Sequence, residues 1–189
     1  MSIQDINHFI ALSRKEQEKI KPQVEDIVNV YLDGDTRKNA LDFIKFIKVN
    51  GFTFNWGGIN TWYADYKKKC ICMFKLHSGN KRPLTPQDLP NWVIHVLIDL
   101  EKHHDSIVEE DLHHIIWDGT DYCVHKNYDG KSNVGCRTTK GCSGGKTIIL
   151  FNKEFSGMCI HFNPRFSNPD RATIDGIKRL LGLEIERTK

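Results

Sequence analysis

Gly51-Phe-Thr-Phe-Asn-Trp-Gly-Gly-Ile-Asn-Thr-Trp-Tyr-Ala-Asp-Tyr-Lys-Lys-Lys-Cys-Ile-Cys-Met-Phe-Lys-Leu-His77 marks the chain's switch from helical spacing to strand alternation. Three short runs of aromatic and β-branched residues, Phe52 to Trp56, Thr61 to Tyr66 and Cys70 to His77, are separated by Gly57-Gly58 and by Lys67-Lys68-Lys69. Such runs bounded by turn residues predict three strands of an antiparallel meander. Upstream the spacing is helical. Ala40, Leu41, Ile44 and Ile47 recur on one face between about Thr36 and Asn50, and Gly51 suits the left-handed cap of that helix.

Further upstream, Ser13-Arg-Lys-Glu16 has the form of a capping box, and the helix it starts breaks or bends at Pro22, which has no backbone donor. A second helical stretch continues through Val24, Ile27, Val28 and Tyr31, and Asp33-Gly34-Asp35 reads as a turn. Residues 1–34 are therefore expected to form a helical N-terminal extension. Downstream, Ser78 to Pro90 holds three of the six prolines and reads as a loop. Trp92 to Leu100 reads as a fourth strand, with a buried helix as the alternative.

Ser106-Ile-Val-Glu109 repeats the capping-box form and opens one inserted helix carrying Ile107, Leu112, Ile115 and Ile116. Thr147 to Phe151 and Met158 to Phe162 are expected to make a hairpin around Asn152 to Gly157. Asn168-Pro169 offers a cap and first-turn proline for a closing helix through Ile174, Ile177, Leu180 and Leu181. The expectation is one α+β domain over residues 1–189: N-terminal helices, a mostly antiparallel sheet, one inserted helix and a C-terminal helix.

Composition narrows the classes. With 189 residues, 39% of them apolar, the chain is long enough to bury roughly 70% of its unfolded surface without disulfide staples. A net charge of +3 comes from interspersed acids and bases, so no nucleic-acid arm or acidic tail is present as a block. The basic fragments Lys67-Lys68-Lys69 and Lys81-Arg82 are small, and a charged hairpin tip also protects an edge strand, so no nucleic-acid partner is expected. Met1 to Ile10 has no secretory pattern, and no apolar run approaches the ~20 residues of a membrane span. The expectation is a cytoplasmic protein whose six cysteines are free, metal-bound or catalytic.

The cysteine- and glycine-rich segment 120–165 carries the strongest chemical bias. Cys123, Cys136, Cys142 and Cys159 lie around Gly135, Gly141, Gly144 and Gly145, and Cys123 and Cys159 each have a histidine two residues on, His125 and His161. Strand alternation places each histidine on its cysteine's face. Four such sulfurs, brought within about 2.3 Å of one point, would hold a structural zinc. The Cys136-x5-Cys142 spacing is looser than a usual zinc knuckle, and separate core or loop thiols are the plain alternative. Cys142-Ser-Gly-Gly-Lys146 also offers a thiol, amides and a lysine, the parts of a thiol enzyme, although turn glycines explain the same residues. A phosphate-loop reading fails, because Gly145-Lys146-Thr147 leads into Ile148-Ile149-Leu150, a strand and not a helix. His103-His104 and His113-His114 sit near acidic residues, but adjacent histidines on a helix point about 100° apart and do not readily share one ion.

Trp56, Trp62, Tyr63 and Trp92, with Tyr66 and Trp117 nearby, concentrate aromatic surface around the meander. Lining a concave sheet face, they would hold a flat or cationic small molecule; packing under a covering helix is the other use of the same residues. Small-molecule binding on an aromatic sheet face is thus the expected function. A thiol- or metal-dependent enzyme and a protein-partner-binding module are the alternatives.

Leu41 to His77, with its Trp56-Gly57-Gly58, Trp62 and lysine-rich hairpin, resembles the YdhG-type bacterial α+β domains. Cys136-Arg-Thr-Thr-Lys-Gly-Cys142 through Phe155 and Cys159 to Phe166-Ser-Asn-Pro-Asp170 resembles an uncharacterised bacterial family with a cysteine-containing C-terminal tail. The resemblance implies an α+β fold and carries no catalytic residues.

Overall fold

A computed structural model describes residues 12–77, 91–120, 146–158 and 163–186. The helices are α1 (Arg14–Ile20), α2 (Val24–Tyr31), α3 (Gly34–Val49), α4 (His104–Glu109), α5 (His113–Asp118) and α6 (Arg171–Glu186). The strands are β1 (Thr53–Gly58), β2 (Thr61–Tyr66), β3 (Lys69–His77), β4 (Asn91–Val96), β5 (Lys146–Leu150), β6 (Lys153–Met158) and β7 (Arg165–Ser167). A five-stranded sheet has the order β1-β2-β3-β4-β7, antiparallel throughout, and β5-β6 is a separate hairpin. This is an α+β fold, as the sequence led us to expect. None of the described helices is long and apolar enough to cross a membrane.

The N-terminal half follows its local signals. Ser13 donates its backbone N–H to Glu16 Oε2 at 2.9 Å, closing the expected box, and α1 ends before Pro22 with Lys21 left-handed at φ 41°. Asp33-Gly34-Asp35 is not a free turn, because α3 begins at Gly34 with Asp33 as its cap. At the other end of α3, Gly51 has φ 78°, its N–H donates to Lys48 O, and Phe52 N–H donates to Ile47 O. Those two bonds define a Schellman ending, which glycine enters without steric penalty. The meander follows, turning tightly at Ile59-Asn60 and at Lys67-Lys68, where both lysines take positive φ.

The remainder departs from expectation in four places. The fourth strand is real but stops at Val96. The single inserted helix is two, because Asp111 turns left-handed at φ 55° and is followed by Leu112 N–H bonding to Ile107 O. A Schellman turn with Asp in the glycine position thus overrides the helical periodicity, and buried Leu112 and Ile107 supply its apolar contact. The late hairpin is tighter than its composition implied: Leu150 pairs with Lys153 across Phe151-Asn152, both at positive φ as in a type I′ turn. Finally, Asn168 does not cap the last helix. It sits at φ 44°, donates its N–H to Trp92 O and accepts Trp92 N–H on Oδ1, which ties β7 to β4. Asp170 caps α6 by accepting Thr173 N–H at 2.8 Å.

The two sheet faces carry different rows. Cross-strand partners Trp56, Trp62, Phe74, Ile94 and Phe166 form one row, facing the core beneath α2, α3 and α6. Phe43 of α3 reaches Trp92 at 6.3 Å between rings, and Trp92 meets Phe74 at 5.2 Å. Each such buried aromatic or branched side chain contributes roughly 1.5–3 kcal/mol. Polar clasps then fix the helices. Asp42 of α3 is paired with Lys178 and with Arg171 of α6, and Trp117 of α5 donates to Leu150 O at 2.9 Å, holding the β5-β6 hairpin.

Candidate functional site

Strand alternation puts Met73 and Lys75 of β3, and His95 of β4, opposite the core-facing Phe74, Leu76 and Ile94. Cross-strand pairing extends this second face into a row running Asn55, Tyr63, Met73, His95 and Arg165 across all five strands. Beside it lies Gly58, Thr61 and Lys75. The two rows border a cavity of about 590 Å³, completed by Ile59 of the β1-β2 turn and Arg14 of α1.

α1 is held at the rim by a buried amide pair. Gln17 donates through Nε2 to Asn60 Oδ1 at 2.7 Å, and Asn60 N–H donates to Gln17 Oε1 at 2.9 Å, both residues being almost fully buried. Asn60 O in turn accepts Leu76 N–H at 2.8 Å, so β3 and α1 meet at the same turn. Trp62 adds a tether by donating its indole N–H to Pro22 O at 3.1 Å. Arg14, one turn before Gln17, is carried to the cavity by this latch.

A bulge shapes the β1 side. Trp56 pairs with Trp62 and Gly58 with Thr61, which leaves Gly57 as the extra residue. The Tyr63 ring lies on Gly57: a Cβ there would stand 1.9 Å from Tyr63 Cε2 and 2.1 Å from Cδ2. Only glycine allows that approach.

The electrostatics are one-sided. The lining includes Arg14, Lys75, Arg165 and His95, and no Asp or Glu. Among the described residues neither Arg14 nor Lys75 has an ion-pair partner. Asp65, further along β2, takes the Asn55 amide at 2.9 Å. Lys75 and Arg165 are half-buried, and partly desolvated cations attract anions more strongly than they would in bulk water; Arg14 is exposed at the rim.

The expected aromatic ligand set divides between the two faces. Trp62 and Trp92 are fully buried in the core, and Trp56 packs half-buried against it. Tyr63 alone of the four lines the cavity. Lys75 and His95, which line the cavity with it, each interrupt an apolar run, in Ile71 to Leu76 and Trp92 to Val96, and that interruption is the signal the sequence offers for them. Arg14 and Arg165 carried no such signal.

The four cysteines expected to hold zinc, Cys123, Cys136, Cys142 and Cys159, lie outside the described residues, as do His125 and His161. Among the described residues no cluster of three or more His, Cys, Asp or Glu is arranged to hold a metal ion. His113 instead stacks edge-on against Trp117 at 4.5 Å, and His104 stacks on Phe151 at 5.2 Å. The described thiols are passive: burial first, then the Asp65 charge, push Cys70 up, while burial pushes Cys72 well above its ordinary value.

A half-buried ion cluster lies away from the cavity, with Glu184 and His103 buried and Lys69 exposed. Lys69 Nζ is 2.6 Å and His103 Nε2 3.3 Å from Glu184 Oε1, joining the β2-β3 hairpin to α6. Burial alone pushes the Glu184 carboxyl up, but the Lys69 hydrogen bond and charge, aided by His103, more than offset this and hold it below its ordinary value.

Comparison with protein-family models, curated proteins and solved structures finds no match to this chain.

Proposed function

We propose that the protein binds a small anionic molecule in the cavity on the outward face of the five-stranded sheet. One observation carries the reading: about 590 Å³ of concave space is lined by three fixed cations and a histidine and by no carboxylate. That volume falls within the roughly 300–1,000 Å³ of small-molecule sites, and a few convergent polar groups on a rigid sheet are what such sites use. Lys75 and Arg165 stand on neighbouring parts of the sheet and supply charge from below, Arg14 supplies it from the rim, and His95 lies between. Tyr63, Met73 and Ile59 supply the apolar wall.

Thermal melting with paired probes tests it. Ribose 5-phosphate and AMP should raise the melting temperature, because a ligand selective for the native state stabilises it, whereas ribose and adenosine at equal concentration should not. Lys75→Ala and Arg165→Ala should each reduce the shift, and added salt should weaken it. Equal shifts from the charged and neutral members, unchanged in both variants, would refute the anion site.

A further inference from the structure

We infer that the anion taken at this site carries a planar aromatic ring, which stacks on Tyr63. The inference rests on the anion-site reading and adds the chemistry of the ligand's other end.

Three observations carry it. The Cδ2–Cε2 edge of the Tyr63 ring sits against the β1 backbone, in a notch that exists because Gly57 has no side chain; a Cβ would stand 1.9 Å from Cε2 and 2.1 Å from Cδ2. The ring is thereby held by one edge, and the residue keeps 36% of its surface exposed and lines the cavity. A large aromatic seated by its edge and exposed to a cavity is a stacking platform.

Apolar surface and charge lie side by side in the cavity. Tyr63 on β2, its cross-strand neighbour Met73 and Ile59, which is 44% exposed, supply the apolar part, with Lys75 paired to Thr61 and Arg14 at the rim beside them. His95 and Arg165 pair directly across β4 and β7 and carry the charge furthest from Tyr63. Three strand spacings of about 4.8 Å separate the backbone at Tyr63 from that at Arg165, roughly 14 Å, which the long cationic side chains shorten. A ring on Tyr63 and an anionic group reaching the cations, with a short spacer, match this arrangement. A compact inorganic anion leaves the aromatic surface unused.

Titration calorimetry of the full chain with AMP and ribose 5-phosphate tests the inference. AMP should bind roughly tenfold or more tightly than ribose 5-phosphate, the scale of one base–aromatic stack. Tyr63→Leu should remove that advantage, weakening AMP roughly tenfold more than ribose 5-phosphate, while Tyr63→Phe should keep it. Gly57→Ala should weaken AMP by unseating the ring; should that variant misfold, the substitutions at exposed Tyr63 carry the test alone. Equal binding of AMP and ribose 5-phosphate, or equal weakening of both by Tyr63→Leu, overturns the ring and leaves the anion site standing. Adenosine binding as tightly as AMP, with no effect of Lys75→Ala, overturns the anion site. Absence of binding by AMP and ribose 5-phosphate together overturns both.

Discussion

Replacing Gln17 by Met should destabilise the protein by about 2–4 kcal/mol, although Gln17 lies on a seven-residue helix far from the centre of the core. Met matches Gln in length and helix propensity, so the change removes the amide and little else. Two short hydrogen bonds disappear, Nε2 to Asn60 Oδ1 at 2.7 Å and Asn60 N–H to Oε1 at 2.9 Å, together with a long one to Leu12 O at 3.5 Å. Gln17 is 0% and Asn60 1% exposed, so the N–H and Oδ1 that lose Gln17 do so inside the protein. Each of the two buried groups that lose Gln17 costs about 1–3 kcal/mol, about 4 kcal/mol together at mid-range, and burying the Met side chain returns roughly 1–2 kcal/mol, which centres the loss near 2–3 kcal/mol. At this chain length the loss lowers the melting temperature by roughly 5–15 °C. Urea unfolding followed by far-ultraviolet circular dichroism measures it directly. Asn60→Gly, which tolerates the φ of 50° at that turn, should add little on the Gln17→Met background, because the pair is already broken. A loss under about 0.5 kcal/mol, or full additivity of the two changes, would show that the amide pair does not hold α1 to the sheet.

The Glu184 cluster predicts a pH dependence of known sign. A carboxyl held below its ordinary value when folded binds fewer protons than in the unfolded chain, so its contribution is present above the unfolded value of about 4.3 and is lost as pH falls through the lower folded value. The urea midpoint of the wild type should therefore fall on acidification below about pH 5, and Glu184→Gln should flatten that part of the profile; an identical slope in both proteins would refute the assignment. The raised Cys70 and Cys72 thiols predict slow alkylation at neutral pH, with Cys70 slower than a cysteine peptide and Cys72 modified only on unfolding. Peptide mapping after iodoacetamide treatment reads each site separately, and a Cys70 rate equal to the peptide's would contradict the burial that raises it.

Local signals were legible wherever one residue type settles one backbone conformation. Pro22 ends α1, Gly51 closes α3, and the alternating runs of 53–77 pair as a meander because a pleated strand shows its side chains to two faces in turn. Reading failed where a tertiary contact chose between two locally acceptable conformations. Asn168 was equally suited to cap a helix, and its clamp on Trp92 decided otherwise. Ser106-Ile-Val-Glu109 was equally suited to start one, yet the helix begins earlier, at His104, with Ser106 inside it, and burial of Leu112 and Ile107 accompanies its end before Asp111.

The site divides in the same way. By itself the sequence determined the α+β class, the meander and the aromatic richness of its strands, because periodicity and turn chemistry act over a few residues. It did not determine which face those aromatics occupy. Trp56, Trp62 and Trp92 are covered from the helix side, while Tyr63, one residue from Trp62, lies on the outward face. Only the tertiary structure brings Arg14 and Arg165 to Lys75 and His95, since these residues come from four elements scattered across the chain. Cross-strand register and the Gln17-Asn60 latch fix their meeting, and both arise from long-range packing that no local pattern encodes.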